Sequence, residues 1–155
     1  MDWEPSKPLQ VSLFGVSRIA LFLGRACALK DSPILGVYDP DSQKALRAAL
    51  YLGVSARAST TSFLKDGPSV IISSLPDISP LPPEALLVQL SEAAGQSVQP
   101  NLCWAVCDRS DDEIPEQISS EAPPLRFSLH GDPEAVRLSS EFFKLLPGDI
   151  QVSNG

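Results

Sequence analysis

Short apolar runs alternate along the chain with segments in which apolar residues recur every three or four positions. The runs predict strands, because a strand buried on both faces is apolar throughout, and the spaced segments predict helices. The predicted strands are residues 11–14, 34–38, 54–58, 69–74, 102–106, 125–129 and 149–152, the last as an edge strand. The predicted helices are residues 17–30, 42–53, 62–67, 83–94 and 133–146.

Residues that favour helix ends mark several of these boundaries. A side-chain oxygen caps the free amides of a helix start, proline suits the first helical position, and glycine ends a helix. The expected N-caps are Asp41, Thr60 or Thr61, and Asp132, with Pro133 at a first position and Gly53 as a stop. In the last helix, four apolar residues at helical spacing are expected to face the core: Ala135, Leu138, Phe142 and Leu146.

The alternation of strands and helices predicts the fold class. Strands that alternate with helices are joined by right-handed crossovers and form a parallel sheet, so we expect an α/β fold with helices on both faces. Residues 108–124 are acidic and rich in proline and serine, which predicts a surface loop with one helical turn near 114–118. The expected organisation is a leader at 1–9, one domain at 10–152 and a tail at 153–155.

The first predicted strand runs into a turn that resembles a dinucleotide-binding fingerprint. The pattern G-x-G-x-x-G/A appears as residues 15–20, with Gly15 and Ala20 in place and Ser17 where the second glycine belongs. In that motif the turn and the helix start hold a pyrophosphate on backbone amides and the positive helix end. This predicts a Rossmann-like domain in which Arg18 adds a cation and Ile19 lies in the cradle. Alternatively, Gly15 serves only a strand-to-helix turn.

Two further segments fit the same cofactor. Asp39 follows the second strand, 24 residues after Gly15, where an acidic residue binds the adenosine ribose and favours NAD over NADP. Alternatively, Asp39 belongs to a helix-capping turn with Asp41. The end of the fourth predicted strand is followed by Ser74, Leu75 and Pro76. The carboxyl ends of the strands line the crevice, so we expect these residues to lie along the cofactor. Alternatively, they form an ordinary loop.

Composition narrows the class of protein. The chain has 155 residues, 43% of them hydrophobic, which predicts a globular domain, and a net charge of −7, which argues against nucleic acid as a partner. No apolar run approaches the roughly 20 residues that span a bilayer. The acidic start MDWEPSKPLQ does not resemble a signal peptide, and three unevenly spaced cysteines do not form a disulfide framework. We therefore expect a cytoplasmic protein without a membrane partner.

The remaining candidates for chemistry are few. Cys103 and Cys107 lie four residues apart, and the chain has one histidine, His130, so buried thiols are favoured over a metal site. His130 has the side chain of a general acid or base but no evident partner in the sequence. The sequence therefore predicts no catalytic residue and no metal ligand.

Taken together, VSLFGVSRIALFLGRA, ILGVYDPDSQKALRAALYLG and SSLPD resemble the amino-terminal domain of a dehydrogenase superfamily. That group includes 6-phosphogluconate and 3-hydroxyisobutyrate dehydrogenases, and FSLHGDPEAVRLSSEFFKLLPGDIQV resembles the end of the same domain. The resemblance implies an NAD(P) cofactor and hydride transfer. In those enzymes a following helical domain supplies the catalytic group and often the dimer interface, whereas this sequence stops at 153–155.

The resemblance leaves three functions open. The first is the cofactor half of an NAD(P)-dependent oxidoreductase, completed by a separate catalytic domain or partner. The second is a non-catalytic interaction module with lost or weak cofactor binding. The third is a site for another adenine nucleotide or S-adenosylmethionine in the same crevice. A homodimer is expected under either of the first two.

Overall fold

The computed structural model describes residues 10–29, 34–76, 81–82, 84–90, 100–114, 125–146 and 150–154. Within these ranges the strands are β1 (Val11–Phe14), β2 (Ile34–Tyr38), β3 (Val70–Ser73), β4 (Leu86–Gln89), β5 (Leu102–Cys107), β6 (Leu125–Gly131) and β7 (Ile150–Asn154). The helices are α1 (Arg18–Leu29), α2 (Ser42–Leu52), α3 (Thr60–Leu64) and α4 (Pro133–Lys144), with a 3-10 turn at Asp111–Glu113.

All seven strands belong to one sheet, in the order β2-β1-β3-β4-β5-β6-β7. Neighbouring strands are parallel except β5 and β6, which are antiparallel. The chain places β2 on one side of β1 and β3 on the other, so the direction of winding reverses between β1 and β3. Such a reversal leaves a crevice beyond the carboxyl ends of the two strands. The predicted α/β, Rossmann-like fold with a mostly parallel sheet is confirmed.

Side chains alternate between the two faces of the sheet, and each face carries an apolar cluster. Ile72 belongs to the larger cluster, which Leu23 of α1 and Phe142 of α4 complete. Its neighbour Ile71 belongs to the smaller cluster, with Phe63 of α3. All five side chains are fully buried, so helices cover both faces, as expected. Across the described ranges, no helix combines the length and apolar character needed to cross a bilayer.

The third predicted strand, at 54–58, is wrong. The segment lies beside β2 but makes only one isolated parallel bridge, between Val37 and Ala56. The Val37 amide donates to Ser55 O at 3.2 Å, and the Arg57 amide donates to Val37 O at 2.7 Å. Because Ser55 and Ala56 are exposed, the segment has little apolar surface to bury and does not extend the sheet further.

The helix predicted at 83–94 is also wrong over its central part, which forms β4. Leu86, Leu87, Val88 and Gln89 are all buried. Four consecutive buried side chains suit a strand covered on both faces and do not suit a helix with one exposed side. The register pairs β4 with both β3 and β5, which places it at the centre of the sheet. Pro83 and residues 91–94 lie outside the described part of the chain.

Both predicted ends of α2 and the predicted start of α4 are confirmed. The Asp41 carboxylate accepts from the amides of Gln43 and Lys44, and Gly53 ends α2 in the left-handed region at φ +73°. Asp132 accepts from the Ala135 amide at 3.1 Å, with Pro133 at the start of α4. The four apolar positions predicted to face the core from this last segment are all buried: Ala135, Leu138, Phe142 and Leu146.

Other boundaries differ from prediction, among them the ends of α3 at Leu64 and of α4 at Lys144. Ser59, and not Thr60 or Thr61, is the N-cap of α3. Its side chain accepts from the Ser62 amide, and the Ser59 amide donates to Ser62 Oγ. Helix α1 begins at Arg18. The turn expected near 114–118 lies earlier, at Asp111–Glu113, and Ile114 is already extended. Residues 115–118 lie outside the described residues, as do Lys30 and Asp149 at two predicted element ends.

Candidate functional site

The turn after β1 lies at the point where the winding of the sheet reverses. Gly15 adopts φ +97°, and its amide donates to Tyr38 O of β2 at 2.6 Å. A β-carbon at this position would lie 2.7 Å from Leu75 Cγ and 3.2 Å from the Leu75 amide nitrogen. The glycine is therefore required both by the backbone angle and by the close approach of the segment that follows β3.

Ser17 caps the first helix. Its Oγ accepts from the Ala20 amide at 3.1 Å and lies 2.8 Å from Ser74 Oγ, which follows β3. The hydroxyl therefore joins the carboxyl ends of β1 and β3. Ala20 is fully buried, as the packing requirement at the last position of the fingerprint demands.

Asp39 holds the same turn from the β2 side. One carboxylate oxygen accepts from the Val16 amide at 2.9 Å, and the other accepts from the Asp41 amide at 2.8 Å. The predicted alternative, a turn that leads into α2, is thus part of its role. A carboxylate offers about four acceptor positions, so these two bonds leave acceptor capacity for a ribose hydroxyl.

A second carboxylate, Asp111, lies at the start of α1. Its Oδ1 accepts from the Ile19 amide at 2.9 Å. Arg18 Nη1 donates to the carbonyl oxygens of Asp112 and Ile114, at 3.3 and 3.1 Å. Residues 111–114, the described part of the predicted surface loop nearest the helix, are therefore docked on the first turn of α1.

Sequence reasoning missed Asp111 as part of the site. The spacing of Ser110 and Glu113 is a capping-box pattern, and the Ser110 amide donates to Glu113 Oε1 at 3.2 Å. That pattern could have predicted a tight turn within the acidic loop. It carries no information about the docking of the turn, because Asp111 and Ile19 are 92 positions apart.

Two clefts lie at the carboxyl ends of the strands. One, of about 330 Å³, lies beyond β2 and is lined by residues that include Tyr38, Asp39, Ser42, Ala56 and Arg57. The other, of about 290 Å³, lies beyond β3, β4 and β5 and is lined by residues that include Ser17, Ser74, Leu90, Cys107 and Arg109. Ser17 and Ile19 line the second cleft, whereas the first cleft is linked to the turn through Asp39, which bonds to the Val16 amide.

The predicted site residues therefore come together at one edge of the sheet. Those in the turn and the first helical turn are Gly15, Ser17, Arg18, Ile19 and Ala20. Asp39 reaches this turn from β2, whereas Ser74, Leu75 and the exposed Pro76 follow β3. Gln89 Nε2 donates to Leu75 O at 2.7 Å and fixes this last segment on β4.

The thiols and the histidine form no second site. Cys103 is fully buried, as expected, whereas Cys107 is half-buried. Burial raises the pKa of Cys27 to about 12, and burial likewise raises the pKa of the Cys103 and Cys107 thiols. His130 Nε2 lies 2.7 Å from Ser128 Oγ on the exposed side of β6. The described residues contain no group of three or more metal-binding side chains.

Solved structures with the same fold include several oxidoreductases. Prephenate dehydrogenase from A. aeolicus, in complex with hydroxyphenyl propionate and NAD+, aligns with a TM-score of 0.68 and 9% identity over 97% of this chain and 62% of its own. Synechocystis arogenate dehydrogenase aligns with a TM-score of 0.63 and 14% identity over 94% and 60%. An imine reductase from Myxococcus stipitatus, in complex with NADP+, aligns with a TM-score of 0.57 and 16% identity over 93% and 54%.

These likenesses establish the fold. The chain spans less than two thirds of the length of each of these three structures. No protein-family model matches the sequence, and no curated protein sequence matches it.

Proposed function

We propose that this chain is the NAD(P)-binding domain of an oxidoreductase-like protein. The observation that carries the proposal is the glycine turn at the switch point of the sheet, which lines one cleft and is bonded to Asp39 of the other. A dinucleotide has two nucleoside halves joined by a pyrophosphate, and it binds across such a crevice with the pyrophosphate at the helix start. The solved structures of the same fold that contain NAD+ or NADP+ support this assignment.

In this arrangement the cleft beyond β2 takes the adenosine half, with Asp39 accepting from the ribose. The pyrophosphate lies at residues 15–20, where Gly15 permits the tight turn, Ser17 stands at the position of closest approach, and Arg18 provides a positive charge. The nicotinamide half lies in the cleft beyond β3, β4 and β5. There Ser74, Leu75 and Pro76 run along it.

The adenosine cleft favours NAD over NADP. The Asp39 carboxylate repels a 2′-phosphate, whereas it accepts a hydrogen bond from a ribose hydroxyl. Arg57 also lines this cleft, but its Nε and Nη2 donate to the two carboxylate oxygens of Asp66 at 2.8 and 2.9 Å. Since this pairing already uses the guanidinium fork, a 2′-phosphate would have to compete with Asp66 for it.

The chemistry proposed for the complete site is hydride transfer, which the nicotinamide performs while the protein orients it. The catalytic group would come from a separate domain, another subunit or another polypeptide, and a homodimer is one such arrangement. The superfamily of 6-phosphogluconate and 3-hydroxyisobutyrate dehydrogenases remains the proposed kinship. A cytoplasmic location is proposed on the ground that all three thiols are free.

A calorimetric titration with NADH and NADPH tests the proposal. We expect saturable NADH binding, weaker NADPH binding, and a loss of NADH affinity of about tenfold in Asp39→Ala, the scale of one lost charge-assisted hydrogen bond. Because Asp39 also holds the turn, the matched control is Asp41→Ala, which removes the adjacent cap without touching the ribose position. If neither nucleotide produces heat at millimolar concentration, the proposal is wrong.

A second candidate function is an interaction module that has lost tight cofactor binding. The amides of Val16, Ile19 and Ala20, which a phosphate would use, already donate to Asp39, Asp111 and Ser17 of the same chain. Because these amides are already hydrogen-bonded within the chain, they favour weak binding of a dinucleotide. Absence of binding to both nucleotides, together with a concentration-dependent dimer in sedimentation, would favour this second function.

A further inference from the structure

We infer that Asp111 is an internal occupant of the phosphate position and determines how strongly the turn accepts phosphate. The inference rests on the proposed function, because it concerns the same cradle. The Asp111 carboxylate accepts from the Ile19 amide at 2.9 Å, within the first turn of α1. A helix start attracts anions through its free amides and its positive dipole end, and here the chain supplies its own anion.

The backbone on each side of Asp111 is fixed by contacts with the rest of the fold. Before it, the Asp108 amide donates to Arg126 O at 2.9 Å, and Asp108 Oδ1 accepts from the Arg126 amide at 3.2 Å. After it, Ile114 is only 2% exposed and packs in the larger apolar cluster. The backbone that carries Asp111 is therefore fixed between two anchors.

The turn between these anchors is stabilised by its own hydrogen bonds. Glu113 Oε1 accepts from the Ser110 amide at 3.2 Å and from Ser110 Oγ at 3.1 Å. Arg18 adds two bonds to backbone carbonyls of the same segment. Since none of these bonds involves the Asp111 carboxylate, a ligand phosphate can displace that side chain by rotation while the loop stays docked.

A phosphate and the Asp111 carboxylate cannot both accept from the Ile19 amide, and they repel each other at this distance. The carboxylate therefore lowers the affinity for any ligand whose phosphate needs the start of α1. This makes Asp111 a specificity-determining residue. It discriminates against phosphate at the turn, in the way that Asp39 discriminates against a 2′-phosphate in the neighbouring cleft.

The test uses inorganic pyrophosphate as the probe, so that it does not depend on the nicotinamide. Asp111→Asn removes the charge but keeps an oxygen that can accept from the Ile19 amide, and circular dichroism checks the fold. The matched control is Asp112→Asn, which removes the same charge one residue away on an exposed side chain. Binding is followed by the amide chemical shifts of residues 15–20 at constant ionic strength, and NADH is titrated in parallel.

We expect Asp111→Asn to bind pyrophosphate about tenfold more tightly than the wild type, and Asp112→Asn to resemble the wild type. Equal affinities in all three proteins, or an equal gain in both variants, would overturn the inference. Undetectable binding in Asp111→Asn would overturn it as well.

The NADH titrations separate the two proposals. If Asp111→Asn gains pyrophosphate affinity but no variant binds NADH, the inference holds and the proposed function fails. If NADH binds all three proteins equally and the Ile19 amide shifts, the proposed function stands and the inference fails.

Discussion

Gly15 and Gly53 both have positive φ, but their surroundings differ. A β-carbon at Gly15 would meet Leu75 Cγ at 2.7 Å, whereas a β-carbon at Gly53 would meet nothing within 4 Å. At Gly53 only the backbone angle opposes a side chain. At Gly15 the angle and the contact with the segment after β3 act together.

We therefore predict that Gly53→Ala lowers the free energy of unfolding by about 1 kcal/mol, the scale of left-handed strain. Gly15→Ala should cost about 1–3 kcal/mol more, because overpacking adds to that strain. Urea denaturation of the two variants provides the measurement. Equal costs would show that Leu75 yields to the added methyl group.

The cysteines give a second prediction at this scale. Burial raises all three thiol pKa values, to about 12 for Cys27, so little thiolate is present at pH 8 in the folded protein. Cys27 and Cys103 are fully buried, whereas Cys107 is half-buried. We expect a disulfide reagent at pH 8 to label Cys107 first and the other two only after urea is added. Early labelling of Cys27 would contradict this packing.

Local chemistry explains both ends of helix α2. Asp41 caps its first amides, and Gly53 ends it. We predict that Asp41→Ala lowers the free energy of unfolding by about 1 kcal/mol, whereas Asp41→Ser keeps a capping oxygen and costs less. Thermal unfolding by circular dichroism compares the two variants. An equal loss would mean that the cap contributes nothing.

The elements that the sequence predicts well are those whose signals are local. β1, β2 and β3 are short apolar runs between turn residues, and α2 and α4 carry their own caps. The sequence of β4 predicts a helix wrongly, because four apolar or amide residues show no period and only burial between β3 and β5 decides their conformation. The segment at 54–58 shows the opposite error. Its sequence predicts a strand, but its side chains have no apolar surface to cover, and it forms only one bridge.

The site itself shows the same division. The turn at 15–20, Asp39 and residues 74–76 could be placed from sequence because each directly follows a predicted strand. Asp111 could not, because its position depends on how the turn at Asp111–Glu113, which follows β5, packs on α1. Contacts across 23, 57 and 92 positions hold the turn together, and a motif search samples none of them.

At the scale of the whole molecule, α4 joins the antiparallel part of the sheet to the parallel part. It contacts β4, β5, β6 and β7. Its residue Phe142 is fully buried, and the ring centroid lies 5.6 Å from that of Phe143. We predict that Phe142→Ala lowers the free energy of unfolding by about 3–5 kcal/mol. The matched control is Leu145→Ala at the end of α4, where the side chain is 53% exposed.

That control should change stability by no more than about 0.5 kcal/mol. Chemical denaturation followed by fluorescence and by circular dichroism measures both variants. If the fluorescence and circular-dichroism transitions of Phe142→Ala have different midpoints, the parallel and antiparallel parts of the sheet no longer unfold together. If Phe142→Ala and Leu145→Ala lose the same stability, α4 does not serve as this link.

The bridge beside β2 has a consequence for association with other chains. β2 is an outermost strand, and free amides and carbonyls along such a strand invite a strand from another molecule. Here residues 55 and 57 take both the amide and the carbonyl of Val37, and Arg57 Nη2 donates to Leu35 O at 3.2 Å. The segment at 54–58 thus occupies backbone groups of β2 that a strand from another molecule would need, and such strand addition is a common first step of aggregation.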